Sequence, residues 1–159
     1  MTLLLELAHS LPWLYFSLVF LFSLMIGSFL NVVIHRLPIM LEREWQAEYR
    51  GYFSPDEEAT VPERYNLMVP RSACPHCGHA ITALENIPLL SWLWLKGRCR
   101  DCQAPISARY PLVELLTALL SVAVAMVITP GWGTLAALLL TWVLVALTFI
   151  DLDKMLLPD

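Results

Sequence analysis

A carboxylate at the end of a long apolar segment is the residue that most directly suggests chemistry in this sequence. The chain runs without a charge from Leu115 to Ile150 and then reaches Asp151. An acid placed where a membrane-length apolar helix meets its polar boundary is unfavourable there, so it indicates a functional site. In an aspartic protease, a carboxylate of this kind acts as a base toward water while a second carboxylate acts as an acid.

The two carboxylates of an aspartic protease must lie about 3 Å apart, because they share one proton. On a helix, Asp153 would lie about 200° around the axis from Asp151, and Asp159 would lie about 12 Å along it. Neither forms such a pair locally, so a partner must come from another segment. Glu114, at the same membrane face, is the nearest acid. It could cap the start of its helix or line a cavity, and we favour a structural role.

The four cysteines form the second constellation with possible chemistry. They make two Cys-x-x-Cys pairs, which consist of Cys74, Cys77, Cys99 and Cys102. Four thiolates match the needs of tetrahedral zinc, and a filled ligand shell makes such a site structural. The pairs are separated by 21 residues, slightly more than in most zinc ribbons. We predict a zinc site that holds together a loop with too small a core to fold alone.

Three other interpretations of the cysteines are weaker. Two disulfides are disfavoured in a reducing compartment, and a redox pair would need a βαβ context that the sequence lacks. His76 or His79 could replace one thiolate, but four cysteines already complete the shell.

Three apolar segments determine the predicted fold class. They cover about residues 11–34, 112–129 and 132–150. The first is long enough to cross a hydrocarbon core of about 30 Å, and the other two approach that length. A hydrophobic content of 58% disfavours a soluble protein with buried core helices. No Lys or Arg precedes Arg36, which disfavours a cleaved signal peptide. The sequence predicts an all-α polytopic membrane protein with three transmembrane helices, and a zinc-ribbon-like loop between the first and second.

The placement of charge predicts the orientation of these segments. Nine of the ten Lys and Arg residues lie between Arg36 and Arg109, so the positive-inside rule assigns the loop over residues 35–111 to the cytoplasm. Residues 1–10 and the turn at 130–131 then face outward, and residues 151–159 return to the cytoplasmic face. Nothing in the net charge of -4 suggests binding to nucleic acid.

Smaller features divide the predicted loop and the first span. Residues 41–50 are predicted as a short surface helix and residues 52–70 as an irregular connection. The acidic group at 56–58 fits a solvated loop better than a site for a basic substrate. In the first span, Gly27 and Ser28 favour close helix packing, and Asn31 requires a hydrogen-bond partner.

Together these motifs resemble those of the bacterial type IV prepilin leader peptidases and N-methyltransferases, aspartic peptidases of the A24 family. Residues 27–38 (GSFLNVVIHRLP) resemble the signature of the family's first span. The paired cysteines, with residues 91–99 and 106–111, resemble its cytoplasmic domain. Residues 149–153 and 157–159 resemble its first catalytic motif, so the resemblance extends over essentially the whole chain in the same order.

The resemblance implies a multi-pass protein of the bacterial inner membrane. Members cut the leader from type IV prepilins and pseudopilins at the cytoplasmic face, and they N-methylate the new terminus with S-adenosylmethionine, whose binding residues the sequence does not identify. Asp151 matches the first catalytic aspartate. The second follows a Gly-x-Gly motif in the family, whereas here Gly131-Trp132-Gly133 is followed by Thr134. We therefore expect an N-terminal portion that is inactive as a protease by itself.

Two other functions remain open at the level of sequence. One is a non-catalytic, zinc-containing membrane module that docks a pilus or type II secretion partner. The other is a protein that keeps only methyl transfer.

Overall fold

All regular structure over the described residues is helical. The computed structural model describes residues 2–53 and 65–155, and over these it contains five α-helices and no strand. The helices are α1 (Thr2–Ser10), α2 (Pro12–Phe53), α3 (Leu90–Trp94), α4 (Arg109–Val127) and α5 (Trp132–Lys154), with a 3-10 turn at Leu84–Asn86. The predicted all-α class is confirmed, with a cluster of four cysteines between the first and second long helices.

The helices α2, α4 and α5 are each long and apolar enough to cross a membrane. With 42 residues, α2 is about 63 Å long, roughly twice the thickness of a hydrocarbon core. One end of α2 must therefore extend beyond the apolar layer. The charged residues that begin at Arg36 show that this is its C-terminal end.

The prediction of a separate surface helix over residues 41–50 is wrong, because α2 continues through Pro38 without a break. A proline inside a helix removes one backbone hydrogen bond, here the one to the carbonyl of Ile34. Strong helix formers follow it, among them Leu41, Glu42 and Arg43, and they favour continuation of the helix. Where the membrane begins and ends along these helices stays a prediction.

The segment predicted as an irregular connection is described only in part. Tyr52 belongs to α2, and the acidic group at 56–58 lies outside the described residues. Further on, the side-chain oxygen of Asn66 accepts the backbone N–H groups of Met68 and Val69, each at 2.8 Å. This turn returns the chain toward α2.

Long helices that follow each other along the chain run antiparallel. The indole N–H of Trp142 in α5 donates to the hydroxyl of Ser121 in α4, while Asp153 at the end of α5 pairs with Arg109 at the start of α4. In α2, the ring of Phe22 contacts Trp142, and Glu42 pairs with Lys154. Thus α2 and α5 run in the same direction and α4 opposes both. We call the end of the bundle that carries Arg109 and Lys154 the cysteine side.

A close helix contact joins α2 and α4 at Gly27. A Cβ atom at this position would lie 2.7 Å from the Cα atom of Glu114 and 3.2 Å from the Cβ atom of Thr117. Small residues let membrane helices approach until their backbones touch, so the predicted packing role of Gly27 is confirmed. One turn further along α2, the side-chain amide of Asn31 donates to the carbonyl of Tyr110 at 3.0 Å, which is the partner that the sequence required.

The apolar core lies toward the cysteine side of the bundle. Its buried members come from all three long helices and are Leu30, Ile34, Val113, Trp142, Val145, Ala146 and Ile150. Ile150 is almost completely buried and directly precedes Asp151. The core therefore determines where the Asp151 carboxylate lies at the edge of the apolar part of the protein.

We predict that Gly27→Ala destabilises the bundle although alanine is the better helix former. Each Gly→Ala change in a helix gains about 1 kcal/mol of propensity. At Gly27 the added methyl group meets the backbone of α4, and such overpacking costs about 1–3 kcal/mol. The measurement is the unfolding midpoint in detergent micelles, followed by circular dichroism.

Gly133→Ala in α5 is the matched control, because a Cβ atom there meets nothing within 4 Å. We expect its midpoint to equal or exceed that of the unchanged protein. Equal stabilisation of both variants would contradict the close contact between α2 and α4.

Candidate functional site

The two Cys-x-x-Cys pairs adopt the same local backbone structure, a tight turn that we call a knuckle. In the first, Cys74 N–H donates to the carbonyl of His79, and Gly78 N–H donates to the carbonyl of Cys74, both at 2.9 Å. In the second, the N–H of Cys99 donates to Ala104 at 2.8 Å, and the N–H of Gln103 donates to Cys99 at 3.1 Å. Each knuckle closes with an isolated antiparallel bridge between its flanking residues.

Both knuckles place the residue that follows the second cysteine in a left-handed backbone conformation. Gly78 has φ of 74° and adopts it without steric penalty, whereas Gln103 adopts φ of 58° with a side chain. The repeated structure makes two equivalent turns, each of which presents a pair of sulfur atoms. The glycine is visible in the sequence, but the equivalence of Gln103 is not.

The four sulfur atoms lie in one cluster whose size fits a tetrahedral metal ion. All Sγ atoms lie within 4.8 Å of one another. Cys74 and Cys102 are 3.7 Å apart, and Cys77 and Cys99 are 3.9 Å apart. Four sulfurs at about 2.3 Å from a zinc ion would be separated by about 3.8 Å. The fold thus brings together the four residues that the sequence selected, in a geometry that could hold such an ion.

The backbone of the first knuckle favours a thiolate at Cys74. Hydrogen bonds from the backbone N–H groups of Cys77 and then His76 lower the pKa of the Cys74 thiol to about 6. A thiolate, not a thiol, is the form that binds metal. The local fold therefore stabilises the negative charge on Cys74, which a bound cation would neutralise.

Neither of the two histidines near the sulfur cluster is needed to complete it: one is exposed and the other binds carboxylates. His76 is exposed. The Nδ1 atom of His79 lies 2.8 Å from a carboxylate oxygen of Asp101, and its Nε2 atom lies 3.2 Å from Glu85. His79 thus connects the first knuckle to the second through Asp101.

Glu85 belongs to the same polar group. The backbone N–H and then the hydroxyl of Thr82 are the main causes that lower the pKa of Glu85 to about 2. The carboxylate therefore stays charged, and Arg100 lies 3.8 Å from it. These contacts stabilise the loop beside the sulfur cluster.

Two buried polar side chains of the long helices attach the cysteine-containing segment to the bundle. We call this segment, residues 65–108, the cysteine unit. The guanidinium of Arg36 in α2 donates to the carbonyls of Asn66 at 2.9 Å and Pro70 at 2.6 Å. The carboxylate of Glu114 in α4 accepts the backbone N–H of Leu89 at 2.8 Å. The sequence analysis used Arg36 only in the distribution of charge and favoured a structural role for Glu114. It identified neither residue's partner, because these partners are far away along the chain.

The candidate catalytic residue lies at the end of α5 on the cysteine side. The side chain of Asp151 is exposed, and its backbone carbonyl accepts the N–H of Met155, which ends the helix in a left-handed conformation. Asp153, two residues on, pairs with Arg109 instead. As helical geometry predicted, the two aspartates do not form a pair. Asp159 lies outside the described residues.

Arg109 and Lys154 hold this end of α5 in place, a role that the sequence analysis missed. Besides Asp153, the Arg109 guanidinium contacts the carbonyl of Phe149 at 3.2 Å and lies 5.3 Å from the centre of its ring. Lys154 lies 3.1 Å from Glu42 of α2. Asp151 takes part in neither ion pair, so its position is restrained while its carboxylate stays accessible.

Fold and site together define a class: a multi-pass membrane protein that carries a four-cysteine cluster and an accessible carboxylate on one side. Residues 21–128 match the family model described as the bacterial peptidase A24 N-terminal domain. The chain belongs to this family, that of the prepilin leader peptidases and N-methyltransferases, and its residues 21–128 correspond to the family's N-terminal domain.

Several relatives carry the name prepilin leader peptidase/N-methyltransferase. The relative from Aeromonas hydrophila is 88% identical over the whole chain, which covers 55% of that protein. The relative from Dichelobacter nodosus is 56% identical over 87% of the chain and 50% of its own length. The chain thus spans about half the length of the curated relatives it matches. No solved structure matches it.

We predict that Glu114→Leu loosens the cysteine unit, because it leaves the N–H of Leu89 without its acceptor. A fully buried backbone group that loses its partner costs about 1–3 kcal/mol, and the partly buried N–H of Leu89 should cost less than this. In hydrogen exchange, the Leu89 amide should lose protection while amides in the middle of α4 keep theirs.

Glu114→Gln is the matched control, since its amide oxygen can still accept the same hydrogen bond. It should keep most of the protection at Leu89. If glutamine and leucine lost protection equally, the charge at this position, rather than the hydrogen bond, would be essential.

Proposed function

We propose that this chain forms the N-terminal domain of a membrane aspartic endopeptidase. The enzyme removes the leader from type IV prepilins and pseudopilins and then N-methylates the new N-terminal residue. The observation that carries the proposal is the accessible carboxylate of Asp151, held at the end of a membrane-capable helix on the side of the cysteine unit. The names of relatives up to 88% identical to the chain support the substrate class.

In this proposal Asp151 is one carboxylate of a catalytic pair. One member of such a pair takes a proton from water as water attacks the scissile carbonyl, and the other gives a proton to the leaving amine. The second carboxylate is the aspartate that the family carries after its Gly-x-Gly motif. Among the described acids, Glu114 is engaged with Leu89 and Asp153 with Arg109, so neither is assigned this role.

The position of Asp151 suits a substrate that is half embedded in the membrane. A prepilin has an apolar helix that lies in the bilayer and a basic leader that lies outside it, so the bond to be cut lies at the boundary. Ile150 is buried in the core and Asp151 is exposed, which supports placement of the carboxylate at that depth.

We assign the cysteine side to the cytoplasm of a bacterium and the protein to its inner membrane. The support is the distribution of Lys and Arg, of which nine lie between Arg36 and Arg109. In this orientation residues 1–10 and the turn at 130–131 face outward. The leader of a prepilin would then be cut on the cytoplasmic face, next to the cysteine unit.

We propose further that Cys74, Cys77, Cys99 and Cys102 hold a structural zinc ion. The sulfur separations of 3.7 and 3.9 Å support it, because they match the edge of a zinc–sulfur tetrahedron. The ion would join the two knuckles, which α3 and the loops around it separate in sequence. It takes no part in peptide hydrolysis.

S-adenosylmethionine enters this proposal as the methyl donor of the family. A concavity of 390 Å³ is lined by Glu42, Trp45, Gln46, Tyr49 and Arg50. All five belong to α2, and a single helix face cannot enclose a cofactor. No described residue is therefore assigned to the methyl donor.

The zinc proposal predicts one metal ion per chain, measured by mass spectrometry of the purified protein. Cys99→Ser should remove the metal and lower the unfolding midpoint of the cysteine unit, because a neutral hydroxyl is a poor ligand for zinc. His76→Ala is the control and should keep the metal, since His76 is exposed. A folded, reduced protein without metal would exclude the zinc site.

A chimera tests the proteolytic function. In it, this chain replaces the matching part of the Aeromonas hydrophila relative, of which it covers 55%. We expect the chimera to cleave a prepilin substrate and Asp151→Asn to lower the rate at least about a thousandfold, as loss of a catalytic carboxylate does. The readout is the mass of the processed pilin.

Glu48→Gln, which removes an exposed acid from α2, is the matched control and should leave cleavage unchanged. Substantial cleavage by Asp151→Asn would remove the residue from the mechanism. A chimera that inserts and binds zinc but does not cleave would instead favour a non-catalytic docking module.

A further inference from the structure

The short helix α3 of the cysteine unit exposes an apolar face. Leu90, Leu93 and Trp94 have relative exposures of 64%, 63% and 85%. Trp92, on the other side of the helix, points into the unit. Its indole N–H donates to the carbonyl of Ile106 at 3.2 Å, and its ring packs against Gly97. The helix is thus anchored by one tryptophan and presents the other outward.

The contact between Leu89 and Glu114 determines the height of this face relative to the membrane helices. Leu89 immediately precedes α3, and its N–H lies 2.8 Å from the Glu114 carboxylate. Glu114 is five residues into α4, so it lies about 7.5 Å along the helix axis from Arg109. The start of α3 is therefore level with the apolar part of α4, not with the charged residues at its end.

Neighbouring residues at this height show that the level is apolar. Gly27 of α2 packs against Glu114, and α2 carries no Asp, Glu, Lys or Arg between there and Arg36. In α4, Leu112 and Leu115 are exposed on the surface of a membrane-capable helix. The start of α3 is thus attached to α4 at a height where α4 exposes apolar side chains.

The charges that follow α3 complement a bilayer surface. Lys96 and Arg98 are exposed, and neither forms an ion pair with any residue that the structure describes. Basic residues near a bilayer are attracted to anionic headgroups. Tryptophan is enriched at the level of the headgroups, where its ring contacts both acyl chains and water.

We propose that Leu90, Leu93 and Trp94 insert into the bilayer edge on the cysteine side, with Lys96 and Arg98 at the anionic headgroups above them. The cysteine unit then lies against the membrane surface instead of projecting from it. An apolar face of this kind is buried about 5–10 Å into the boundary between headgroups and acyl chains. The inference depends on the membrane-capable helices and not on the proposed peptidase activity.

Photo-crosslinking in lipid nanodiscs tests the proposal. The photoreactive residue p-benzoylphenylalanine replaces Trp94 in one variant and Trp45 in a matched control, and adducts are identified by mass spectrometry. Trp45 is also exposed, at 49%, but it lies nine residues beyond Arg36 on the protruding part of α2. We expect the yield of phospholipid adducts at position 94 to exceed that at position 45 several-fold.

Equal yields at the two positions would overturn the proposal. So would crosslinks from position 94 to a polypeptide in place of lipid when a prepilin is present, because they would assign the face to a protein partner. Zinc content and the unfolding midpoint show that each variant is folded.

Fluorescence provides a second measurement with natural residues. In vesicles whose lipids carry bromine near the carbonyl end of the acyl chains, a tryptophan at the boundary is quenched. Trp94→Phe should lower the quenched fraction of the total emission, whereas Trp45→Phe should raise it. A rise for Trp94→Phe would show that this ring lies outside the bilayer.

Discussion

The close approach of α2 and α4 at Gly27 is the constraint on which the other contacts depend. With no side chain between the two backbones, Glu114 lies directly against α2. From there its carboxylate accepts the N–H of Leu89 and thereby fixes the cysteine unit against the bundle. The preceding residue, Val113, is fully buried in the same core as Ile150, which directly precedes Asp151. One backbone contact thus relates the cysteine cluster, the membrane helices and the candidate catalytic carboxylate. A larger residue at Gly27 would separate elements that are distant from each other in sequence.

The polar groups that join these elements lie close to the boundary of the apolar bundle, and each satisfies a group that would otherwise lose its water. Arg36 satisfies two carbonyls of the returning loop, and Asn31 satisfies the carbonyl of Tyr110. Buried polar atoms are tolerated only with such partners, most of all where no water competes. Because the partners are backbone groups of a different segment, the contacts specify how the cysteine unit is oriented on the helices. In our proposal, the same orientation places α3 at the level of the lipid.

Much of the fold was predictable because apolar length and cysteine spacing are local signals. The three apolar segments, the need for a partner at Asn31 and the small-residue contact at Gly27 were all read from composition and spacing. The continuity of α2 through Pro38 was not, because the good helix formers that follow the proline outweigh the loss of one hydrogen bond. The equivalence of the two knuckles was half visible: Gly78 marks the first, but Gln103 takes the same left-handed conformation without a glycine to indicate it.

By itself, the sequence determined the class of this protein and the four thiols that can share a metal ion, and it singled out Asp151 as the candidate catalytic acid. These follow from residue type and from spacing within one segment, where chain geometry alone limits what is possible. Only the tertiary structure decided that Glu114 holds Leu89, that Arg109 holds Asp153 and Phe149, and that Trp94 faces outward while Trp92 faces inward. The contacts of Glu114 and Arg109 join residues that are far apart in sequence. The two tryptophans are of the same type and close in sequence, so only their surroundings make them differ. Which partner a polar side chain binds depends on which backbone groups lose their water when the helices pack. That is a property of the assembled bundle.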